Sequence, residues 1–315
     1  MKKLAVCNDW KDTKSAVYWN KDGILKALQV LRDTHGWDVK FFKLHDSPHT
    51  HEHECVTLEF TPNLKKDILA WKPDAILFFS DLSRPILGEF KDVDIPKAIA
   101  FTGGLYDDYI DVPDIFFVES TTYLNWFERK GKKVVRAFGT NTELFKPYPQ
   151  PKVFDTFFPA TFAAWKRHDL FAEATKNHLS LTCGFWQPHE MHCVKSCQDA
   201  GVAVLHHQPA ESTALLYSMS KTVLITSDSS GGSQRTVLEA MACNVPVIVN
   251  KDSEKCSEFI AECGIGEIVE PYPSAFAAAI EKWKDKEVNT RDFILENYSE
   301  YTYAQKLKDG IESIL

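Results

Sequence analysis

No apolar stretch of this 315-residue chain approaches the ~20 residues that a membrane-spanning helix needs. The charged start, Met1 to Lys3, leads into a strand-like run and lacks the pattern of a signal peptide. Positive charge is scarce as well, with 36 Lys and Arg against 44 Asp and Glu. This balance argues against a nucleic-acid partner, because neutralising phosphates needs clustered cations. The eight cysteines are scattered among apolar neighbours and are interpreted as reduced, buried thiols of a cytoplasmic protein.

The length fits two domains of about 150 residues, and strand-like runs alternate with helix-like ones, which is typical of parallel α/β sheets. In the first half we predict a helix at 22–34 and strands at 4–8, 39–44, 75–80, 98–102, 115–119 and 134–138. In the second half we predict strands near 155–160, 179–185, 202–206, 222–226, 246–249 and 267–269. Alternating prolines at 147, 149 and 151 stiffen the connection between the halves. These prolines predict the boundary between a first domain at 1–148 and a second at 149–290. Residues 291–315 are predicted as a separate C-terminal helical segment.

Residues 227–249 carry the most informative motif, SDSSGGSQRTVLEAMACNVPVIV. A predicted strand enters a loop of small residues, a short helix follows, and another buried strand begins at Pro246. Such loops at helix N-termini present free backbone N–H groups and the positive end of the helix dipole, which suit phosphate. Glu239 lies about a turn and a half into the helix, where a carboxylate can accept hydrogen bonds from ribose hydroxyls. The alternative is an ion pair with Arg235 on the helix surface.

This segment resembles the donor-site signature of family 4 glycosyltransferases, with a strong match from Leu238 to Val249. Two further strings are similar to motifs of that family. They are the interdomain segment FGTNTELFKP at 138–147 and the helix start WKRHDLFAEA at 165–174. The resemblance implies a GT-B architecture, in which two Rossmann-like domains face each other across a cleft. Its C-terminal helix packs back on the first domain.

The resemblance also implies roles for individual residues. The donor belongs in the second domain, where Lys166 contacts the diphosphate and balances the charge that grows on the leaving group. Glu239 is expected on the ribose. The other expected donor-site residues are Gly231, Gly232, Ser233, Gln234, Arg235 and Thr236 at the diphosphate, Gly23 near it, and His207 and Gln208 beside the base.

Two departures from the family pattern concern the sugar and the acceptor. Gly231 stands where the family has the first of two glutamates, so backbone amides of 231–234 are expected near the sugar, with Asp228 as the alternative carboxylate. In the first domain, Gly103 and Gly104 follow a strand where many members carry a histidine. These glycines and Trp19, in a loop that mixes aromatic and basic residues, are the expected acceptor contacts. Contact with a membrane surface is the alternative for the Trp19 loop.

We expect no metal and no cofactor besides the substrate, a UDP- or GDP-sugar. Two polar clusters contain metal-ligating side chains: His45, His49, His51 and His53, and, on a predicted helix, His189, His192, Cys193 and Cys197. Neither follows an established ligand spacing, so we interpret them as a loop, either inert or facing the acceptor, and as a half-buried helix.

The sequence therefore predicts a metal-independent glycosyltransferase that moves a sugar from a nucleotide sugar to a carbohydrate acceptor. Retention at the anomeric carbon is implied by the resemblance. Two alternatives remain open. One is a nucleotide-sugar epimerase of the same fold, and the other is a non-catalytic nucleotide-sugar-binding subunit, which Gly231 and Thr102 favour because they replace expected polar groups.

Overall fold

The structure is a computed structural model that describes residues 1–8, 23–80, 84–101, 108–186, 188–230 and 234–315. The chain forms two compact units: Met1–Gly139 with Ser299–Leu315, here called unit 1, and Thr140–Tyr298, called unit 2. No helix in the described part of the chain is long and apolar enough to cross a bilayer.

Unit 1 is built on a sheet with the order β3-β4-β2-β1-β5-β6-β7-β8. All neighbours are parallel except β3 and β4, which are antiparallel. The strands are β1 (Lys3–Asn8), β2 (Asp38–Leu44), β3 (His49–Glu52), β4 (Thr57–Thr61), β5 (Ala75–Phe79), β6 (Lys97–Phe101), β7 (Ile115–Val118) and β8 (Val134–Arg136). The six strands predicted for this half are confirmed to within two residues.

Helices cover both faces of this sheet because consecutive strand residues point to opposite sides. In β1, Leu4 and Val6 face one buried cluster while Ala5 and Cys7 face another. The first cluster is covered by α1 (Ile24–Asp33) and by α12 (Glu300–Glu312). The second is covered by α2 (Leu64–Trp71), α3 (Arg84–Glu89) and α4 (Thr121–Arg129). Unit 1 is thus a three-layer α/β sandwich, as its alternating sequence predicted.

The histidine-rich stretch is a strand, where the sequence predicted a loop. All four residues of β3 are exposed, and β3 pairs with β4 at the edge of the sheet. Since no residue of β3 is buried, it carries no apolar alternation from which a strand could be predicted. The ring of His49 stacks on Phe60 of β4, with centroids 4.3 Å apart.

Unit 2 contains a wholly parallel sheet with the order β11-β10-β9-β12-β13-β14. Its strands are β9 (Phe154–Pro159), β10 (Ser180–Gly184), β11 (Ala203–His206), β12 (Ser220–Ile225), β13 (Val247–Asn250) and β14 (Glu267–Val269). Its helices are α5 (His168–Ala174), α6 (Met191–Asp199), α7 (Ala210–Ser218), α8 (Arg235–Ala242), α9 (Glu254–Cys263), α10 (Pro273–Trp283) and α11 (Arg291–Asn297). Counted within the unit, the strand order is 3-2-1-4-5-6, the order of dinucleotide-binding Rossmann sheets. The order reverses between β9 and β12, which makes the carboxyl ends of these two strands the topological switch point.

The boundary between the units lies at 139/140, whereas the sequence predicted a boundary at 148/149, in the Pro-rich segment. Hydrogen bonds of Arg291 explain why residues 140–148 belong to unit 2. The guanidinium of Arg291 donates hydrogen bonds to the carbonyls of Thr142 and Phe145, both at 2.8 Å, and of Ala242 at 2.9 Å. These bonds attach the segment after residue 139 to unit 2, and they keep α11 in unit 2 as well. The predicted segment 291–315 is therefore divided, and only residues from Ser299 onward join unit 1.

The C-terminal helix packs on the first sheet, as the resemblance implied. Ser299 caps α12 by accepting a hydrogen bond from the backbone N–H of Thr302. Tyr303, Ala304, Leu307 and Ile311 join the cluster that contains β1 and α1. Gly310 lets the helix approach β7 closely, since a Cβ at this position would lie 2.5 Å from a ring carbon of Phe117.

We predict that Gly310→Ala destabilises the protein. The added methyl group overlaps Phe117, and overpacking costs about 1–3 kcal/mol, which outweighs the about 1 kcal/mol that Ala gains over Gly in a helix. Thermal unfolding monitors the change. Asp309→Ala, on the exposed side of the same helix, is the control and should change stability by about 0.5 kcal/mol or less. A higher melting temperature for Gly310→Ala would show that α12 does not pack closely on β7.

Candidate functional site

Lys166 lies at the switch point of unit 2, in a short 3₁₀ helix (Ala164–Lys166) that follows β9. It is buried, with 8% of its surface exposed. Its ammonium group donates a hydrogen bond to the side-chain oxygen of Gln234 and lies 4.2 Å from the ring centroid of Trp165. Gln234 immediately precedes α8. The bond therefore joins the segments that follow β9 and β12, where ligands bind in open α/β sheets.

Hydrogen bonds to backbone carbonyls hold the Lys166 segment against the end of β12. The hydroxyl of Thr226 donates to the carbonyl of Lys166 at 2.8 Å, and the N–H of Asp228 donates to the carbonyl of Trp165 at 3.0 Å. Asn250, at the end of β13, donates its side-chain amide to the carbonyl of Ser227 at 3.0 Å. The ends of three neighbouring strands are thereby linked around the ammonium group.

The electrostatics of Lys166 follow from its burial. Desolvation lowers the pKa of Lys166 from 10.5 to about 7, with the Cys256 sulfur acting in the opposite direction. Cys256 also accepts hydrogen bonds from the backbone and side chain of Gln234, at 3.4 and 3.5 Å. Near neutral pH the ammonium group is thus poised between its charged and neutral forms, and a nearby anion would favour the charged form.

Glu239 lies inside unit 2, with 4% of its surface exposed. It accepts a hydrogen bond from the hydroxyl of Tyr217 at 2.8 Å, and that hydroxyl also lies 3.4 Å from the carbonyl of Thr236. Burial, followed by the Glu239 carboxylate, raises the pKa of Tyr217 well above its usual value. Tyr217 therefore stays a hydrogen-bond donor, and Glu239 is not on the exposed helix face that a simple surface ion pair requires.

Two buried hydroxyls at this site make no hydrogen bond to any of the described residues. They belong to Ser227, after β12, and to Thr236, in the first turn of α8. A buried hydroxyl without a partner is uncommon in native proteins and needs an explanation. Together with Lys166 they offer hydrogen-bond donors at one end of α8, where the helix dipole also favours an anion.

His207 and Gln208 follow β11, farther along the same edge of the sheet. The imidazole of His207 stacks on the ring of Phe185, with centroids 3.9 Å apart and planes at 9°. Gln208 donates its side-chain amide to the carbonyl of His206 at 2.9 Å. Gly184, at the end of β10, lies close to the segment after β9, since a Cβ there would lie 1.9 Å from the carbonyl oxygen of Ala160.

The remaining predicted residues are distributed as follows. Arg235 begins α8, and Gly23 precedes α1 in unit 1 with a φ of 71°. Arg167, which precedes α5, lies 3.8 Å from the carboxylate of Asp252. Outside the described residues lie Trp19, Gly103, Gly104, Gly231, Gly232 and Ser233.

The sequence did not identify several partners of the predicted residues. Tyr217, Cys256 and Trp165 contact Glu239, Gln234 and Lys166 respectively. Tyr217 lies 22 residues before Glu239 in the chain, and its helix carries an ordinary apolar pattern. Only the tertiary fold brings Tyr217 to Glu239 and Cys256 to Gln234. Trp165 adjoins Lys166, and this adjacency was the one available signal.

A second concavity of unit 2, of about 480 Å³, lies at the opposite edge of the sheet, beside the first residues of β12 and β13. Three of the lysines that line it are held by neighbouring residues. Lys152 donates to the carbonyl of Ser220 at 2.7 Å, Lys221 pairs with Asp155 at 2.8 Å, and Lys284 pairs with Glu281 at 2.8 Å. The ammonium group of the fourth, Lys286, lies 4.3 Å from the ring centroid of Trp283.

Residues 192–303 match the family model described as Glycosyl transferases group 1. The matched segment contains His207 and Glu239, and Lys166 precedes it. No curated protein matches the sequence.

Solved structures resemble the chain over nearly its whole length. Sucrose-phosphate synthase from Thermosynechococcus elongatus superposes with a TM-score of 0.79 at 15% identity, covering 99% of both chains. Alr3699/HepE from Anabaena, in complex with UDP and glucose, gives 0.75 at 13% identity, covering 99% of this chain and 100% of that one. A trehalose-6-phosphate synthase structure gives 0.72 at 12% identity, covering 99% of both chains. At these identities the likeness establishes the fold, which is GT-B. With the family match, it supports a glycosyltransferase.

We predict a pH-dependent stability term from Lys166. Its pKa of about 7 in the folded chain lies below the about 10.4 of an unperturbed lysine. Between these values the unfolded chain binds a proton that the folded chain lacks, so stability rises with pH by at most about 1.4 kcal/mol per unit. Chemical unfolding of wild type and Lys166→Met at pH 7, 8 and 9 isolates the term. Wild type should gain on the variant as pH rises, and a constant difference would mean that Lys166 keeps an ordinary pKa.

Proposed function

We propose that the chain is a glycosyltransferase similar to family 4, which binds a UDP- or GDP-sugar in unit 2 and transfers the sugar to a carbohydrate acceptor. The proposal rests on one observation above all. At the switch point of a Rossmann-type sheet, a buried ammonium group meets the start of a helix and two buried hydroxyls without partners among the described residues. That arrangement suits a diphosphate.

The diphosphate is proposed to lie between Lys166 and the N-terminus of α8. Its negative charge favours the protonated form of Lys166, which offsets the desolvation that lowers the pKa of the free site. The hydroxyls of Ser227 and Thr236 supply neutral donors. Residues 231–235 complete the proposed diphosphate contacts, and Gly23 remains a proposed contact of the diphosphate.

The ribose is proposed to bind Glu239. An ionised carboxylate has about four acceptor positions, and Tyr217 uses one of them while fixing the orientation of the side chain. The base is proposed to lie beside His207 and Gln208, where the Phe185–His207 stack provides a flat aromatic wall. These three subsites follow the carboxyl edge of one sheet.

The proposed chemistry is transfer with retention and without a metal ion. As the bond between sugar and phosphate breaks, charge grows on the leaving diphosphate, and a preorganised ammonium group stabilises it. The leaving phosphate is proposed to take the proton of the acceptor hydroxyl. One structural neighbour, a trehalose-6-phosphate synthase, was analysed for glycosyltransfer with retention, which supports this route by analogy. Trp19, Gly103 and Gly104 remain the proposed acceptor contacts.

The proposed compartment is the cytoplasm. The eight cysteines are thiols rather than disulfides, and seven of them are buried, which suits a reducing environment. Hydrolysis or transfer of donor by the purified chain would exclude the alternative of a non-catalytic binding subunit.

We predict that Glu239→Gln weakens binding of the nucleoside diphosphate at least about tenfold. A carboxylate that accepts ribose bonds contributes about 1.5–3 kcal/mol for each charge-assisted bond, and about 1.4 kcal/mol corresponds to one decade. The replacement is isosteric, and its amide oxygen still accepts from Tyr217, so the fold should be retained. Isothermal titration calorimetry measures affinity, with the melting temperature recorded alongside.

Glu173→Gln is the matched control for this variant. It makes the same change of charge in unit 2, but on an exposed helix face where Glu173 pairs with Lys176. It should bind like wild type. Wild-type affinity in folded Glu239→Gln would refute the ribose role.

We predict that turnover of donor persists in EDTA and does not increase with Mg²⁺ or Mn²⁺. The ammonium group of Lys166 and the helix N-terminus supply the positive charge that such ions supply in metal-dependent transferases. Product formation is measured after chelation and after each ion is added back. Loss of turnover that Mg²⁺ or Mn²⁺ restores would contradict the proposal.

A further inference from the structure

The start of α6 brings together three side chains that ligate transition metals: Glu190, His192 and Cys193. The Cys193 sulfur lies 3.4 Å from Nε2 of His192 and 3.9 Å from Oε2 of Glu190. The third separation, between His192 Nε2 and Glu190 Oε2, is 3.6 Å. Each of the three atoms thus faces the other two.

These separations fit one tetrahedral ion. With bonds of about 2.3 Å to sulfur, about 2.0 Å to nitrogen and about 2.0 Å to oxygen, tetrahedral ligand atoms stand roughly 3.3–3.6 Å apart. The longest observed separation, 3.9 Å between the Cys193 sulfur and Oε2 of Glu190, exceeds this range by a few tenths of an ångström. Small side-chain rotations therefore suffice to close it around an ion.

The ligand set indicates the class of metal. Thiolate and imidazole prefer Zn²⁺ and related first-row ions, whereas Mg²⁺ and Ca²⁺ prefer oxygen. Three protein ligands leave a fourth tetrahedral position for water or a further group.

Burial is graded across the cluster in a way that suits ion entry. Cys193 is 4% exposed, whereas the side chains of Glu190 and His192 are 16% and 65% exposed. An ion can reach the imidazole from solvent while the sulfur remains protected.

The local backbone explains why the sequence pattern did not predict this cluster. A short 3₁₀ helix (Pro188–Glu190) leads directly into α6, and the change of helix type places positions 190, 192 and 193 on one side. The sequence pattern groups His192 and Cys193 with His189 and Cys197 on one helix, which we interpret as half-buried. The structure instead assembles a set that does not include His189.

A thiol binds a metal ion as its thiolate, so the bond from an ion to Cys193 replaces the thiol proton. As the sulfur–metal bond forms, the thiol proton passes to solvent.

We propose that Glu190, His192 and Cys193 bind one Zn²⁺-class ion at a site that shares no residue with the proposed donor site. Glu190 ends the 3₁₀ helix that precedes α6, so the ion links that short helix to α6. The role is structural, and the proposal stands or falls independently of the glycosyltransferase assignment.

The test uses the full chain, freed of metal by chelation and titrated with Co²⁺ and then Zn²⁺. We expect one equivalent of Co²⁺ to bind with a thiolate-to-cobalt charge-transfer band, and Zn²⁺ to displace it. Cys193→Ser should abolish the band. His192→Gln, at an exposed position that tolerates change, should weaken binding by more than about tenfold. Zn²⁺ should raise the melting temperature of wild type but not of Cys193→Ser.

His189→Gln is the matched control, an exposed histidine one residue before Glu190, and it should bind like wild type. Any of three results would overturn the proposal. They are a folded wild type with no charge-transfer band, a band that persists in Cys193→Ser, and equal losses in His189→Gln and His192→Gln.

Discussion

An ammonium group taken out of water must find oxygen atoms or aromatic rings, and in unit 2 Lys166 finds Gln234 and Trp165. That requirement draws the segment after β9 onto the start of α8. The hydroxyl of Thr226 and the amide of Asn250 then lock the strand ends around it. Burial lowers the pKa of Lys166 to about 7, and a nearby anion would favour its charged form.

The strand order explains why the Lys166 site lies at the ends of β9 and β12, because the order reverses between these two strands. Crossovers on either side of the switch point run in opposite directions, so the segments leaving these two strands diverge, and the Lys166–Gln234 bond spans them. In the proposed donor site, Glu239 lies farther along α8 than Gln234 and accepts a hydrogen bond from Tyr217. The Phe185–His207 stack lies farther along the edge of the sheet.

Most strands could be predicted from the sequence because buried parallel strands are short apolar runs. The edge strand β3 could not, since its residues are all exposed and its partner, β4, mixes polar with apolar residues. Prolines indicated a boundary in roughly the right place, but Arg291 sets its position through bonds to distant carbonyls. In the site, Lys166 and Glu239 were found through a resemblance, whereas their partners depend on contacts between remote segments. The Glu190 cluster was missed for a related reason, because its spacing becomes a ligand triangle only where a 3₁₀ turn meets α6.

The contribution of α12 to unit 1 makes that unit discontinuous in the chain, whereas unit 2 is a single uninterrupted segment, Thr140–Tyr298. A ribosome releases the chain from its N-terminus, and domains generally fold as units during synthesis. Unit 2 has all its strands once residue 298 has emerged. The cluster that α1 covers in part on the unit 1 sheet is completed only by Tyr303, Leu307 and Ile311 of α12. The unit whose strands are translated first is therefore the unit that is completed last.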